Sequence, residues 1–451
     1  MQEVINMEKQ WEEMTSDERQ EALFEKWISP EGVTYASPEA EKAYKEKATR
    51  IKDAVQMKKV PDRVPIFLLP SFYPVYYSGI TPQDAMYDYE KNNAAFKKFI
   101  VDFAPDAHLG AAVPGPGRFL DIVDYKLYSW PGHGVSPNHS YQANEGEYMM
   151  VDEYDDLIED PSNFFYKTYL PRVFGILEPW QQLPTVTGIL EIYGVGFNFI
   201  PFGIPPVQES FKKLFEAGAE VLKYAGAMGA FGGEMIATGY PTIVAGFTKA
   251  PFDVLGDTLR GTRGLMVDMY RNPDKLLKAM DVLTPIMIKM GVGAALSSGN
   301  PFIFIPLHKG ADGFLNEEQY MKFYWPTLRK VVMGLVEQGV VPFLAAEGGY
   351  NTRLDIVSDL PKGKTLWLCD QLDMARAKKT LGKVACLAGN MSSALLNLGT
   401  KQQITDYTKK LIDDCAKGGG YIMSNGAFFD EAQAENIHAM VDFTREYGVY
   451  K

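Results

Sequence analysis

Short apolar runs alternate with amphipathic stretches along this chain, most clearly in its C-terminal half. The runs are TIVAGFTKAPF (242–252), FIFIPLHKG (302–310), VPFLAAEGG (341–349), TLWLCD (365–370), KVACLAGN (383–390) and GGYIMSNG (419–426). Uninterrupted apolar stretches of strand length suit strands covered on both faces, as in a parallel sheet. Between them lie helical patterns. The clearest is Glu317 to Gln338, where Met321, Tyr324, Leu328, Val331, Val332 and Leu335 share one face and Pro326 predicts a kink in the first turns.

The N-terminal half is harder to parse. Residues 1–58 predict a helical extension, with Thr15 or Ser16 as N-cap of one helix and Pro38 with Glu39 opening another through Lys58. Such a segment packs over a barrel or across a dimer seam. VPDRVPIFLL (60–69) then reads as a first strand, PDAHLGAAV (105–113) as a possible second, and ILEIYGV (189–195) and EMIATG (234–239) as further candidates. The glycine-rich AGAMGAFGG (225–233) reads as a loop or close packing, and the stretch around 131–206 as an irregular insertion. About eight strand–helix units predict an α/β fold, a (β/α)8 TIM-like barrel over 59–451. No GxGxxG follows the first strand and no GxxxxGK[ST] occurs, which favours the barrel over a doubly wound sheet.

Charge and cysteine content narrow the partners. With 45 basic and 57 acidic residues the net charge is −12 and no basic stripe is present, so nucleic acid is not expected. Three cysteines are too few for a disulfide framework. The N-terminus lacks an apolar signal core, and no apolar run reaches the roughly 18 uninterrupted residues of a membrane helix. These features predict a cytoplasmic protein without a membrane partner.

Candidate chemistry gathers where the apolar runs end, because a parallel barrel builds its site at its C-terminal strand ends. VPFLAA delivers Glu347, two glycines that permit a sharp turn, then Tyr350 and Arg353. Other runs end in His308, in Cys369 with Asp370, in Asn390 and in Asn425. His308, Glu347, Cys369 and Asp370 offer N, O and S donors of the kind Zn²⁺ accepts, although no H-x-C, CxxC or HExxH spacing is present; for His308 a hydrogen-bonded strand-end histidine is the alternative. After the first run, Phe72, Tyr73, Tyr76 and Tyr77 suggest an aromatic wall for a flat substrate or cofactor, or else packing of the N-terminal helices.

The segments ATRIKDAVQMKKVPDRVPIF, GFTKAPFDVLGDTLRG, GFLNEEQYMKFYWPTLRKVV, AGNMSSALLNLGTKQQITDYTKKLI and GGGYIMSNGAFFDEAQAENIHAMVDF together resemble the uroporphyrinogen decarboxylase superfamily over roughly residues 50 to 450. The resemblance implies a (β/α)8 barrel and a homodimer. The decarboxylases carry arginines after the first strand, where this chain reads LLPSFYPVYYSG. The coenzyme M-directed methyltransferases hold zinc with an H-x-C pair and a later cysteine; here Ala345 and Glu347 occupy the pair and Ala427 falls near the third position. The remaining resemblance is to the corrinoid-dependent aromatic O-demethylases. It implies methyl transfer from a methoxylated aromatic to cobalamin carried by a corrinoid protein. Glu347, His308, Tyr350 and Arg353 would then be catalytic. Phe72, Tyr73, Tyr76, Tyr77, Asn390 and Asn425 would bind substrate, and zinc would be held by His308, Glu347, Cys369 and Asp370. A decarboxylase or other lyase, or a non-enzymatic tetrapyrrole- or corrinoid-binding protein, are the alternatives.

Overall fold

The computed structural model of the chain describes residues 10–184 and 191–450. Two helices open it, α1 (Ser16–Ile28) and α2 (Pro38–Gln56). Thr15 caps α1 reciprocally with Glu18, and Ser37 caps α2 ahead of Pro38. Each cap satisfies an otherwise orphan helix N–H. α2 stops two residues short of Lys58, because Met57 turns into the left-handed region at φ 54°.

A three-stranded sheet in the insertion, ordered β2-β1-β3, comprises β1 (Tyr128–Pro131), β2 (Gly134–Val135) and β3 (Gln142–Ala143). The main sheet has six parallel strands in sequence order: β4 (Gly246–Phe247), β5 (Phe302–Leu307), β6 (Val341–Ala346), β7 (Leu366–Cys369), β8 (Cys386–Gly389) and β9 (Tyr421–Ile422). All six lie within the apolar runs of the C-terminal half. Parallel single-residue bridges then join Met423 to Ile66, Phe67 to Ala107, and His108 to Thr242. The expected first and second strands thus contribute bridges rather than regular strands. Pro61, Pro65 and Pro70 interrupt the former and Pro105 opens the latter, each removing a ladder donor.

Alternation along the strands sorts the side chains into two layers. Phe302, Phe343, Ala345, Leu366, Leu368, Cys386, Ala388 and Ile422 share one core with Phe24, Trp27, Tyr44 and Ile51 of α1 and α2. Ile303, Ile305, Leu344, Trp367 and Cys369 belong to the other core, under the helices. Trp27 and Phe24 pack edge-on against Phe302 at 5.2 and 5.7 Å, so the N-terminal helices close the sheet at its strand beginnings. The opposite end is left for chemistry.

Two sequence expectations fail in the helices. AGAMGAFGG and residues 234–237 of EMIATG lie inside one helix, Pro205–Ala237, of 33 residues, which Thr238 and Gly239 terminate. Glycine content misled there, because most of that helix's glycines face open space and need no special backbone. In ILEIYGV, residues 191–195 form no strand, and Ile189 and Leu190 lie outside the described residues. The Glu317–Gln338 face is buried from Tyr324 to Leu335 but leaves Met321 exposed, and Pro326 is accommodated by a π turn over Tyr320–Tyr324 followed by a helix from Trp325. Helix Pro273–Ser298 is long and apolar enough to cross a membrane by composition alone. Leu276, Met280, Leu283, Met287 and Ala295 of that helix are buried in the layer beneath it.

Candidate active site

The strand layer that begins as apolar packing becomes polar at its C-terminal ends. Continuing the same alternation places Lys249, His308, Glu347, Asp370 and Asn390 after β4 to β8 on the face that carries Phe343 and Leu368. Just below them, Phe247 and Phe304 are in register on β4 and β5. Phe304 meets Phe343 at 5.3 Å and the half-open Phe428 at 6.1 Å. Phe247 is 61% exposed, so an open aromatic surface adjoins the polar ends.

Asp257 organises that polar layer. It sits in a π turn, Leu255–Leu259, that follows β4 through the short helix Pro251–Val254. Its carboxylate takes His308 Nδ1 at 2.6 Å, Lys249 Nζ at 2.7 Å and Lys309 Nζ at 2.9 Å. Burial would raise the Asp257 carboxyl, but the His308 hydrogen bond and Lys249 outweigh it and hold it well below the usual carboxylate range. His308 answers in kind: burial lowers it, the bond to Asp257 raises it, and the net is upward. With Nδ1 committed, Nε2 points to Glu347, whose Oε2 lies 3.8 Å away. That gap exceeds a hydrogen bond. Glu347 is raised by burial first; His308 opposes this, and Asp257 and Asp370 add to it, so the net is upward. A histidine raised above its ordinary value thus faces a carboxyl raised above its own, an arrangement suited to proton exchange between them.

Asp253, one turn before Asp257, holds the loop after β5. It accepts the N–H groups of His308 and Lys309 at 3.2 and 3.0 Å and the Tyr324 hydroxyl at 2.7 Å. Burial, reinforced by Asp257, pushes its carboxyl up to about 6.

Other residues expected at the site have different places. Cys369 lies on the opposite face of β7, fully buried, with its thiol pushed up by burial. It therefore cannot join His308. Asp370 accepts the Gly348 N–H at 2.9 Å and shapes the turn after Glu347. Among the described residues no three His, Cys, Asp or Glu side chains converge as a metal ion requires, so the expected zinc set does not fit.

Tyr350 and Arg353 are buried beneath the loops rather than presented at the open end. The Tyr350 hydroxyl donates to the Leu307 carbonyl at 3.2 Å. Arg353 donates to the Gly310 and Leu315 carbonyls and lies 4.5 Å over the Tyr320 ring. Both fix the loops that carry Lys309 and Glu347.

Asn390 and Asn425 are saturated. Asn390 donates to the carbonyls of Asp370 and Leu372 and accepts from Tyr407 at 2.8 Å. Asn425 accepts the Leu69 N–H at 2.8 Å and donates to the Leu69 and Ala427 carbonyls. It staples the end of the 66–69 segment to the turn after β9.

The Phe72–Tyr77 segment forms no wall beside His308. Phe72 is buried against Tyr141 at 5.4 Å, and Tyr73 stacks on Tyr77 at 5.6 Å with both rings against Phe103. Tyr73, Tyr76 and Tyr77 line a separate pocket of about 530 Å³ with Asp430 and Glu431.

Sequence reasoning missed Lys249, Asp253, Asp257, Phe247, Phe304 and Phe428. A signal existed for four of them. Phe247 and Lys249 alternate along one run, and Asp253 and Asp257 are spaced one helical turn apart immediately after it.

A uroporphyrinogen decarboxylase (URO-D) family domain matches residues 186–447. Over 206 residues the chain is 24% identical to the uroporphyrinogen decarboxylase of Neisseria meningitidis serogroup C (strain 053442), covering 44% of this chain and 56% of that protein. It is 26% identical over 211 residues to that of Staphylococcus aureus (strain JH9), covering 45% and 59%. The chain therefore spans less than two thirds of the length of these curated relatives. A methyltransferase from Methanosarcina mazei shares its fold with a TM-score of 0.57 at 15% identity, over 90% of this chain and 98% of that one. The family match takes in more than half of the 451 residues, and the chain belongs to the uroporphyrinogen decarboxylase family.

Proposed function

We propose that this chain is the methyltransferase component of a corrinoid-dependent O-demethylase, built on a (β/α)8 barrel. It takes the methyl group of a methoxylated aromatic compound and passes it to the cobalamin of a corrinoid protein. The barrel reading rests on the parallel ladder of β4 to β9 and on the bridges that carry pairing from Met423 round to Thr242. The observation that carries the function is the adjacency of an aromatic surface, the exposed Phe247 and the partly buried Phe304, to the Asp257–His308–Glu347 group.

The corrinoid supplies the nucleophile that takes the methyl group. This chain's residues handle the other half of the bond. Phe247, Phe304 and Phe428 provide area on which a flat ring can stack. The departing phenolate needs a proton at its oxygen. His308 Nε2, held outward because Asp257 occupies Nδ1, is placed to donate it, and Glu347 is placed to resupply it. No step is assigned to zinc, since its expected donors do not assemble.

The decarboxylase alternative is less well supported. A polycarboxylate tetrapyrrole needs several free cations. At these strand ends Lys249 and Lys309 are both engaged with Asp257, and Arg353 is buried.

The test is anaerobic incubation with a panel of methoxylated aromatics and reduced corrinoid, free and protein-bound, followed by visible spectroscopy. Appearance of methylcobalamin with release of the phenol is expected. Absence of transfer from every donor to both corrinoid forms overturns the reading and makes tetrapyrrole titration the next experiment.

A further inference from the structure

The Pro205–Ala237 helix turns Ala217, Glu220, Phe231 and Met235 into the protein. The opposite face of such a helix is ordinarily its most polar. Here that face carries Phe215, Ala219, Leu222, Gly226, Gly229 and Gly233 at successive turns, all exposed and none charged. Phe215 and Leu222 are 72% and 75% exposed. The three glycines are equally unexplained within a single chain. Each disfavours the helix relative to alanine, and a Cβ on any of them would meet nothing within 4 Å.

Bulk lies towards one end of this face and glycine towards the other, so the face is complementary to its own reversed copy. An antiparallel pairing centred at the level of Tyr224 sets Phe215 opposite the partner's Gly233, Ala219 opposite the partner's Gly229 and Leu222 opposite the partner's Gly226. A two-fold axis repeats each match, as an isologous interface requires. Lys212, on one flank, comes within a turn of the partner's Glu234, so opposite charges meet at both ends. A bilayer would favour the large side chains but gives no reason for glycines in matching positions.

The available area is sufficient. A helix of 33 residues is about 50 Å long and about 10 Å wide, so one face offers each copy roughly 500 Å². Two such faces reach the least that a specific interface needs, about 1,000 Å² in total. The adjoining turn Val195–Gly203 extends the surface, with Phe197, Phe199 and Ile200 more than half exposed and Phe202 stacked on Phe211 of the helix. We propose that two copies of this chain pair antiparallel through the outer face of the Pro205–Ala237 helix, independently of the reaction assigned to the His308 site.

Sedimentation velocity of the full chain across micromolar concentrations tests this, and a dimer is expected. Leu222→Glu and Gly226→Gln should each raise the dimer Kd by at least about tenfold with unchanged circular dichroism. Gly226→Gln adds a side chain where the single chain has open space, so it reports on pairing even should Leu222→Glu misfold. Mixed Phe215→Cys and Gly233→Cys chains should form a disulfide between copies under mild oxidation, since Cys369, Cys386 and Cys415 are buried. A monomer throughout that range, whether or not it binds phosphatidylcholine vesicles, would overturn the proposal. So would wild-type association of both variants, or no cross-link between the cysteine pair.

Discussion

At the ends of β4, β5 and β6, Lys249, His308 and Glu347 direct their polar atoms at Asp257 and at one another. At the ends of β8 and β9, Asn390 and Asn425 direct theirs at main-chain groups and, for Asn390, at the Tyr407 hydroxyl. Both sets occupy the position where a parallel α/β fold places chemistry. The first arc keeps charges whose protonation each neighbour alters. In the second, both amide N–H groups and the oxygen of each asparagine are already engaged and none is ionisable, so it holds the loops. Position at a strand end is therefore not enough; a functional side chain must also retain an uncommitted atom.

Asp257→Ala should have the largest effect. It leaves Lys249, Lys309 and His308 without their shared counter-charge. A loss of about 3 kcal/mol in unfolding free energy is expected from denaturant titration. A change below about 1 kcal/mol would mean the three cations find other partners.

Glu347→Gln should reduce kcat by about a hundredfold or more with little change in stability, since it removes an ionisable group and keeps the shape. Wild-type turnover in this variant would remove the charged arc from catalysis.

On the other arc, Asn425→Ala should cost about 2 kcal/mol, because it strands the buried Leu69 N–H and carbonyl. Any loss of activity should track the loss of folded protein. Tyr350→Phe deletes one bond to the Leu307 carbonyl and should cost about 1 kcal/mol. A kcat effect beyond that in the Phe variant would return Tyr350 to the catalytic set.

The pH dependence is the smallest expected effect. His308 is raised above 6.5 in the folded state, so its contribution to stability is fully present below that pH and is lost as pH rises through the folded value. Stability measured across that window should fall with pH in the wild type. His308→Gln should flatten the slope there, and an unchanged slope would count against the Asp257 pairing.

Several of these residues could be read from pattern alone. His308 and Glu347 were legible because each ends an apolar run of strand length. Cys369 was misassigned by the same rule: it too ends a run, but one residue out of phase, and period-two alternation turns it towards the helices. Tyr350 and Arg353 follow Glu347 closely in sequence, yet the turn at Gly348, with φ 80°, carries them under the loop. The Pro205–Ala237 helix was obscured by glycines that suggest turns.

By itself the sequence determined the α/β class, the six strands of the main sheet and the family, because hydrophobic periodicity and segment order are local properties. Only the tertiary structure decided which polar residues share a site. Asp257, His308 and Glu347 stand on three separate stretches of chain, and their meeting depends on parallel strands being placed side by side in register. No spacing along the chain encodes the distances between them. The same holds for Tyr76 and Glu431, which line one pocket from opposite ends of the domain.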